Sequence, residues 1–379
     1  MSLSRATLLS LKLPQLKHLA VQCGVNSSGT KTEIASYLLE ELKVGKTSVV
    51  QHDPRKTRTG ATSQTERILS IDMGIRNLAY CVLETSTKSA HESPIILAWK
   101  RIAVVPRAPS PASPRDSLEG DTKAGKKPPK ESFEPSIFAS HAYDLLTKIL
   151  LPHTPTRILI ERQRYRSMGS ASIQEWTVRV NMFEGMLYAV LRTLQGMSEW
   201  KGTVEAVSPA RVVAFWVGED GVRSQSSATK VSESEDGGKV RKRRAKTAKA
   251  KSKGDKIDLV GRWLRDREIL RFDTSGGQSS KMRDAYLLKW QGKGKSRGQK
   301  VTVDRIGLSP SDILKEEGEN GALVEDEKEE IGKLDDLADC LLQAMAHVRW
   351  QDNRRKLEEI KEGEEIEVLA NTLSSDRDL

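Results

Sequence analysis

The chain has 379 residues and a formal net charge of +10, from 62 Lys and Arg against 52 Asp and Glu. This length allows two or three domains. No apolar run reaches about 18 residues, which excludes a membrane-spanning helix. Three cysteines without a CxxC pair exclude a disulfide framework and a cysteine-based zinc cluster. The basic surplus favours a polyanionic partner but identifies no chemistry.

Two segments have strongly opposite charge. Lys239–Lys256 holds ten basic residues and one acid, and Glu316–Glu330 holds eight acids and one lysine. Both are poor in large apolar residues, which predicts disorder for each segment alone. They are either two solvated loops, or a basic arm that follows a phosphate backbone and an acidic arm held away from it. Residues 106–135, with seven of the fourteen prolines, are predicted to be a linker or an inserted loop.

The N-terminal segment has two interpretations. No acid precedes Glu33, and Leu, Ser and basic residues are frequent, which suits a mitochondrial targeting sequence. The segment also suits a folded unit, because apolar residues at helical spacing follow Pro14 and the pattern ends at Gly24. Thr30 and Glu33 then form a capping box that opens a second helix. The two helices within residues 4–43 resemble a SAP motif, a helical DNA-binding hairpin; a hairpin used only for packing is the alternative.

From residue 67 the pattern changes to short buried strands that later alternate with helices. Five strands are predicted, at 68–72, 78–83, 95–105, 157–161 and 203–207. Helices are predicted at 136–150, at 172–196, from Ser208 onward, at 256–265 and at 332–350. Three strands followed by alternating helices and strands indicate an α/β fold with a mixed sheet.

Five acids occur where a carboxylate is unexpected. Asp72 and Glu161 each end an apolar strand, and a buried carboxylate is costly unless a positive charge balances it. On the last predicted helix, Asp339 lies three residues after Asp336 and four after Asp335, so either pair shares one helix face. Carboxylates from two strand ends and one packed helix predict an oxygen site for Mg²⁺ or Mn²⁺.

This carboxylate set suits phosphodiester cleavage. Two divalent ions about 4 Å apart activate a water and stabilise the leaving oxygen, so no protein nucleophile is needed. We therefore expect two ions per site, held by Asp72, Glu161, Asp336 and Asp339, and no small-molecule cofactor. Alternatively, each acid has an ordinary role, such as capping a turn, pairing with a following arginine or favouring a helix dipole. Each ordinary role is plausible alone, but all of them in this order are much less so.

The order of elements and four motifs resemble the RNase H-like nuclease superfamily. The motifs are Ile71–Ala79, Ile160–Ser167, Val207–Pro209 and Lys333–Asp339. Within that superfamily the chain is similar to the RuvC branch, and more closely to the fungal mitochondrial Holliday-junction resolvases. The resemblance covers residues 4–43, 67–105, 136–217, 254–272 and 331–352.

The resemblance implies a fold, a reaction and a location. It implies an RNase H-like mixed sheet flanked by helices, which the SAP-like hairpin precedes in the chain. The implied reaction is the cleavage of four-way DNA junctions by paired symmetric nicks during mitochondrial DNA recombination. Paired nicks need two active sites, which a homodimer with twofold symmetry supplies. The resemblance also implies a location in the mitochondrial matrix, and we expect no binding to a membrane. The motif leaves open whether Asp335 or Asp336 is the partner of Asp339.

The same reasoning divides the chain into four parts. These are a hairpin at 1–45, a linker at 46–66, a core at 67–352 with insertions at 106–135, 219–253 and 273–330, and a charged tail at 353–379.

Basic and aromatic residues near the acids are candidate DNA contacts. Three guanidiniums and a ring follow Glu161, where they can bind phosphates and stack on an unpaired base. Surface arginines paired with nearby acids are the alternative. The resemblance further implies that a basic residue near residue 253 contacts the scissile phosphate. The candidates are Arg76, Arg162, Arg164, Tyr165, Arg166, Lys253 and Lys256.

An apolar row on the predicted helix at 172–196 is a candidate dimer interface. Its members have the alternating three- and four-residue spacing of a coiled-coil seam. Packing of this face on the protein's own sheet is the alternative. The candidates are Ile173, Trp176, Val180, Phe183 and Leu187.

Three functions remain open from the residues. The leading hypothesis is a Mg²⁺-dependent endonuclease that resolves four-way junctions. A nuclease acting on RNA–DNA hybrids and a non-catalytic, SAP-bearing DNA-organising protein are the alternatives.

Overall fold

The structure is a computed structural model that describes twelve segments of the chain. They are residues 3–47, 65–86, 92–104, 133–163, 173–218, 253–273, 278–292, 302–304, 306–307, 328–331, 333–360 and 363–373. Within these segments, no helix combines the length and the apolarity needed to cross a membrane.

Helices in the described segments are numbered in chain order. They are α1 Arg5–Ser10, α2 Leu13–Gln22, α3 Lys31–Thr47, α4 Pro135–Asp144, α5 Glu175–Gly196, α6 Pro209–Val217, α7 at 253–266, α8 Gln278–Gln291, α9 Leu334–Glu359 and α10 Gly363–Thr372. Helix α4 continues into a π-helical turn at Leu145–Leu150 and a 3-10 turn at Leu151–His153.

Strands in the described segments are numbered in the same way. They are β1 Thr65–Asp72, β2 Leu78–Ser86, β3 Ile95–Ala103, β4 Arg157–Glu161, β5 Thr203–Val207, β6 Arg271–Phe272, β7 Thr302–Asp304, β8 Ile306–Gly307 and β9 Lys328–Glu330. The predicted bounds of β4 and β5 are confirmed to the residue.

A single mixed sheet forms the centre of the molecule. Its strand order is β5-β4-β1-β2-β3-β6, with β8 also beside β3. Strand β1 is antiparallel to β2 and parallel to β4, and Ile71 pairs with Ile160 in the parallel ladder. The carboxyl ends of β1 and β4 therefore meet at one edge of the sheet. This confirms the predicted α/β fold and the RNase H-like arrangement of a mixed sheet flanked by helices.

Alternate residues of the strands bury two apolar layers, one on each face of the sheet. Ile68 packs in the layer that contains α9, whereas Leu69 packs in the layer that contains α4 and α5. Successive side chains of a strand point to opposite faces, so Ser70 and Asp72 also lie on the α9 side. The fold thereby places α9 directly over the strand ends that carry the acids.

Four parts of the chain differ from the expected pattern. Strand β9 lies in the acidic segment predicted to be disordered, yet it pairs with β7. The hairpin contains a third helix, α1, ahead of the two predicted ones. Helix α8 lies in the stretch expected to be an insertion, yet its Tyr286 is buried 5.2 Å from the ring of Trp99. Helix α9 runs to Glu359, well past the predicted end at residue 350, and α10 follows it where only a charged tail was expected.

The N-terminal hairpin is attached to the core through the end of α2. Three core side chains donate hydrogen bonds to three consecutive carbonyl oxygens there. The bonds run from Asn353 to Gln22 (2.7 Å), from Arg354 to Cys23 (2.8 Å) and from Arg211 to Gly24 (3.2 Å). Carbonyls at a helix end lack partners within the helix, so these donors fasten the hairpin to α9 and α6.

Candidate active site

Two carboxylates lie side by side at the carboxyl edge of the sheet. Asp72 ends β1 and Glu161 ends the neighbouring parallel strand β4. Gln163 Nε2 donates a hydrogen bond to Glu161 Oε2 at 3.1 Å. Burial is the largest cause that raises the pKa of Asp72 well above its usual range. The charge of Glu161 and a hydrogen bond with Glu161 raise this pKa further, and so do the charges of Asp339 and Asp336. Four of the predicted acids therefore interact at one place.

The turn after Asp72 needs its glycine. A Cβ at Gly74 would lie 2.9 Å from the carbonyl oxygen of Asn77, closer than side-chain carbons approach. The sharp turn returns the chain into β2 and leaves Asp72 at the open edge of the sheet.

The first turns of α9 supply the remaining acids. Burial, followed by repulsion from Asp335, raises the pKa of Asp336 to about 6, although the charge of Arg101 opposes the shift. Burial also raises the pKa of Asp339, with Lys256 opposing it. Within the described part of the chain, Asp336 Oδ2 is buried without a hydrogen-bond partner.

Two lysines of α7 pair with two of these acids. Lys253 Nζ donates to Asp335 Oδ2, and Lys256 Nζ donates to Asp339 Oδ1. Burial disfavours the ionised form of Asp335, but the bond and the charge of Lys253 outweigh it and lower its pKa. The hydrogen bond to Asp335 likewise raises the pKa of Lys253. The structure thus brings both predicted lysines to the predicted acids.

These pairings distinguish the two aspartates that the sequence left equivalent. The Asp335 carboxylate is bound to Lys253, whereas Asp336 keeps a buried oxygen without a partner in the described residues. A buried polar atom without a partner is costly unless a ligand satisfies it. Asp336 is therefore the better candidate to act with Asp339.

The donor chemistry of the site fits a hard divalent cation. Carboxylate oxygens are the ligands that Mg²⁺ and Mn²⁺ prefer, and Asp336 Oδ2 is an oxygen that such an ion would satisfy. Among the described residues, however, no three His, Cys, Asp or Glu side chains are already grouped as ligands of one ion. The residues fit such an ion in kind, and binding would bring their side chains closer together around it.

Arginines and a tryptophan lie beside the acids at the same edge. The Arg76 guanidinium lies 5.1 Å from the centroid of the Trp176 ring. Trp176 is 38% exposed. The backbone N–H of Arg162, next to Glu161, donates to the carbonyl of Val207 at 2.8 Å. Arg164, Tyr165 and Arg166 lie outside the described residues.

The predicted dimer seam is divided by the structure. Val180, Phe183 and Leu187 are buried in the protein's own core on the sheet, so they are not available to a partner. The prediction is wrong for these three, and the alternative, packing on the sheet, is what the structure shows. Ile173 and Trp176 remain exposed.

Sequence reasoning missed two residues of the site. Arg101 stands on β3, in line with Asp72 across the sheet, because Asp72 pairs with Ala79 and Ala79 with Arg101. Gln343 is buried on α9, four residues after Asp339. A lone glutamine within the apolar run Leu341–Ala346 was the available signal.

The chain is similar to one protein family, to curated relatives and to solved structures. Residues 68–357 match the family described as mitochondrial resolvase Ydc2 / RNA splicing MRS1. The mitochondrial cruciform cutting endonuclease 1 of Schizosaccharomyces pombe is 28% identical over 218 residues, covering 55% of this chain and 67% of the relative. The protein of that name in Saccharomyces cerevisiae is 22% identical over 358 residues, covering 92% and 84%. The crystal structure of the yeast mitochondrial Holliday junction resolvase Ydc2 has a TM-score of 0.47 and 23% identity, covering 91% of this chain and 95% of its own.

Proposed function

The chain belongs to the family of the mitochondrial resolvase Ydc2 and the RNA-splicing protein MRS1, and we propose that it is a structure-selective DNA endonuclease. Its substrate is the four-way DNA junction, which it resolves by paired symmetric nicks during recombination of mitochondrial DNA. The observation that carries this proposal is the meeting of Asp72, Glu161, Asp336 and Asp339 beside two lysines. The resolvase-family resemblance of the core motifs is confirmed by the family match.

The four meeting carboxylates would hold Mg²⁺ or Mn²⁺, two ions per site. When bound, such ions supply an activated water and stabilise charge on the leaving oxygen. Lys253 and Lys256 hold positive charge at the same edge, where they neutralise the carboxylates and attract a phosphate. Asp335 keeps the ammonium of Lys253 in place.

Nearby groups would bind the DNA around the scissile phosphate. Arg76 and Arg162 lie at the edge of the sheet that carries the acids, where their guanidiniums would bind phosphates. Arg164, Tyr165 and Arg166, with the basic run before residue 253, are proposed contacts from the sequence alone.

Paired nicking requires a second active site, so we propose a homodimer with twofold symmetry. Of the predicted interface residues, Ile173 and Trp176 are the two that stay exposed. The matrix of mitochondria is the proposed location, consistent with the names of the relatives.

A second candidate follows from the family description, which includes an RNA-splicing protein. In that case the chain binds nucleic acid without cutting it. The carboxylates favour cleavage, because a protein that only binds has no need to bury several acids at a surface that meets phosphates.

A cleavage assay separates these candidates. Labelled four-way junction, RNA–DNA hybrid and linear duplex are each incubated with the protein and Mg²⁺, and the nicks are mapped. We expect paired nicks at symmetric positions in the junction and none in the linear duplex. Cleavage of the hybrid alone would replace the proposal with a hybrid nuclease. Binding to the junction without cleavage of any substrate would favour the non-catalytic candidate.

A further inference from the structure

A buried glutamine joins α9 to both strands that carry catalytic acids. Gln343 is 3% exposed, and its Nε2 lies 3.1 Å from Ser70 Oγ. The same nitrogen lies 3.3 Å from the carbonyl oxygens of Ile71 and Leu159. These acceptors belong to β1 and β4, so one amide group contacts the helix's two supporting strands.

The glutamine and the acids form one row on the helix. Asp336, Asp339 and Gln343 are separated by three and four residues, which places them on the same face. On the strand below, Ser70 and Asp72 are two residues apart and also share a face. The row is buried at Gln343 and reaches the open edge of the sheet at the acids.

The spacings of the two rows match. Asp339 lies about 6 Å from Gln343 along the helix, at 1.5 Å per residue. Asp72 lies about 6.7 Å beyond Ser70 along the strand. Since α9 begins at the edge where β1 ends, the bond from Gln343 to Ser70 fixes how far Asp339 stands from Asp72.

An apolar residue would fill this position without needing partners. A buried amide is unfavourable unless it is hydrogen-bonded, and in some proteins a buried polar group specifies the register of packed elements. Apolar contacts are non-directional, whereas three acceptors on two strands add a directional constraint, because hydrogen bonds weaken steeply with distance and angle.

We propose that Gln343 is a positioning residue that sets the distance between the helix carboxylates and the strand carboxylates, and so controls metal affinity. This inference rests on the proposed function for the identity of the metal site. Gln343 itself contacts neither metal nor DNA; it acts through α9, β1 and β4.

Replacing Gln343 with methionine tests the inference, because methionine keeps the length of the side chain and removes its donors. Binding of Mn²⁺ to the full-length protein is measured by electron paramagnetic resonance without DNA. We expect the dissociation constant for Mn²⁺ to rise about 10-fold, the lower end of the range for losing a group bonded directly to a metal ligand, because Gln343 acts through the backbone that carries the ligands. The Mg²⁺ concentration for half-maximal nicking should rise in parallel, while junction affinity without metal stays unchanged.

Met345→Leu is the matched control, since Met345 is an apolar residue buried on the same helix. It should leave the affinity for Mn²⁺ at the wild-type value. Ser70→Ala removes one of the three acceptors and should weaken Mn²⁺ binding less than Gln343→Met does. The double variant should bind about as weakly as Gln343→Met alone, because the two residues share one interaction.

A folded Gln343→Met protein with wild-type Mn²⁺ affinity would overturn the proposal. If that variant does not fold, Ser70→Ala decides, and unchanged Mn²⁺ affinity in it has the same meaning. A weakened affinity in a protein whose wild type cuts no junction would leave the positioning role intact and remove the proposed function instead.

Discussion

The two ends of α9 differ in how completely their polar and charged side chains are paired with hydrogen-bonding or ionic partners. At its beginning, burial raises the pKa values of Asp336 and Asp339, and one Asp336 oxygen has no partner in the described residues. Near its other end, Asn353 and Arg354 donate to carbonyls of α2 at 2.7 and 2.8 Å. The acids gathered at the first end are only partly balanced by Lys253 and Lys256, whereas donors meet acceptors at the second.

This difference separates two tasks within one helix. The beginning holds unfavourable electrostatics that a ligand would relieve, which is typical of functional sites. The other end carries the hairpin, and Leu357 there is fully buried in the hairpin's apolar cluster. Substitutions at the beginning should therefore alter chemistry without loss of stability, and substitutions near the end should do the reverse.

The largest expected effect comes from Asp72→Asn at the end of β1, beside the beginning of α9. Loss of this carboxylate should lower the cleavage rate by more than about a hundredfold, the scale for losing a group that stabilises transition-state charge. Junction affinity should not fall, and the melting temperature should stay equal or rise, because an uncharged amide avoids the burial and the repulsion from Glu161 that disfavour an ionised carboxylate there. Nicking of a labelled junction, a binding assay and thermal unfolding measure these three quantities.

Asp266→Asn is the control, because Asp266 is exposed on α7 and pairs with its neighbour Arg265. It should cut at the wild-type rate. If Asp72→Asn retained wild-type nicking, the metal site would have to lie elsewhere.

The next effect concerns Gly24 at the hairpin end. Gly24 has φ of +66°, and a Cβ there would lie 2.2 Å from Cδ2 of Trp350 on α9. Gly24→Ala should lower the free energy of unfolding by about 2–4 kcal/mol, from backbone strain and overpacking together. Urea unfolding measures the loss, and the cleavage rate per folded molecule should be unchanged.

Gly185→Ala is the matched substitution, because nothing lies within 4 Å of a Cβ at that helical position. It should raise the free energy of unfolding by roughly 0.5–1 kcal/mol. Equal effects of the two substitutions would show that the hairpin is not tightly packed on α9.

The sequence predicted where the acids of the strands would meet, because their signals are local. Asp72 and Glu161 end apolar runs with clear bounds, and in adjacent parallel strands such ends meet at one edge. The pairing of Asp335 was not predictable in the same way. Its partner Lys253 lies 82 residues earlier, and both i,i+3 and i,i+4 spacings fit one helix face.

Other features were hidden because different structures share one pattern. The row on α5 has the spacing of a dimer seam and equally that of a helix packed on its own sheet, which is where Phe183 lies. Arg101 is tied to the site by cross-strand register, which local periodicity does not reveal. Helix α8 is only weakly amphipathic, so its buried Tyr286 gave no helical pattern to recognise.

A third region of α9, between its two ends, carries a buried histidine. His347 is 1% exposed, and its Nδ1 lies 3.6 Å from Glu205 Oε2. Burial, and then the charge of Arg157, lower the pKa of His347 to about 3; Glu66 opposes this shift and Arg354 adds to it. Gln351 lies 3.4 Å from the other ring nitrogen. The ring is therefore neutral in the folded protein across most of the acid range.

The stability of the protein should also depend on pH, and the contributions of His347 and Asp336 to this dependence have opposite signs. Below pH 6.5 the unfolded chain protonates His347 and the folded chain does not, so stability falls as the pH falls toward 3. Asp336 has a raised pKa of about 6, so the folded chain holds its proton longer and stability falls as the pH rises from 3.8 to 6. On going from pH 8 to pH 5, we expect His347 to lower the free energy of unfolding by about 2 kcal/mol. We expect Asp336 to raise it by on the order of 1 kcal/mol, after a reduction for solvent screening.

Two variants separate these opposing contributions in urea unfolding with a chelator at pH 5 and pH 8. His347→Gln removes the histidine contribution, so its stability should fall less than that of the wild type on going to pH 5. Asp336→Asn removes the contribution that raises stability at pH 5, so the stability of this variant should fall more than that of the wild type. An unchanged pH dependence in His347→Gln would mean that the ring is not held neutral by burial, and the same result in Asp336→Asn would mean that its carboxylate is already balanced without a metal. Either result would weaken the contrast between the beginning of α9 and the rest of the helix. In that contrast, charges are left unbalanced at the beginning, where a phosphate and a cation are expected to bind, and not in the rest of the helix.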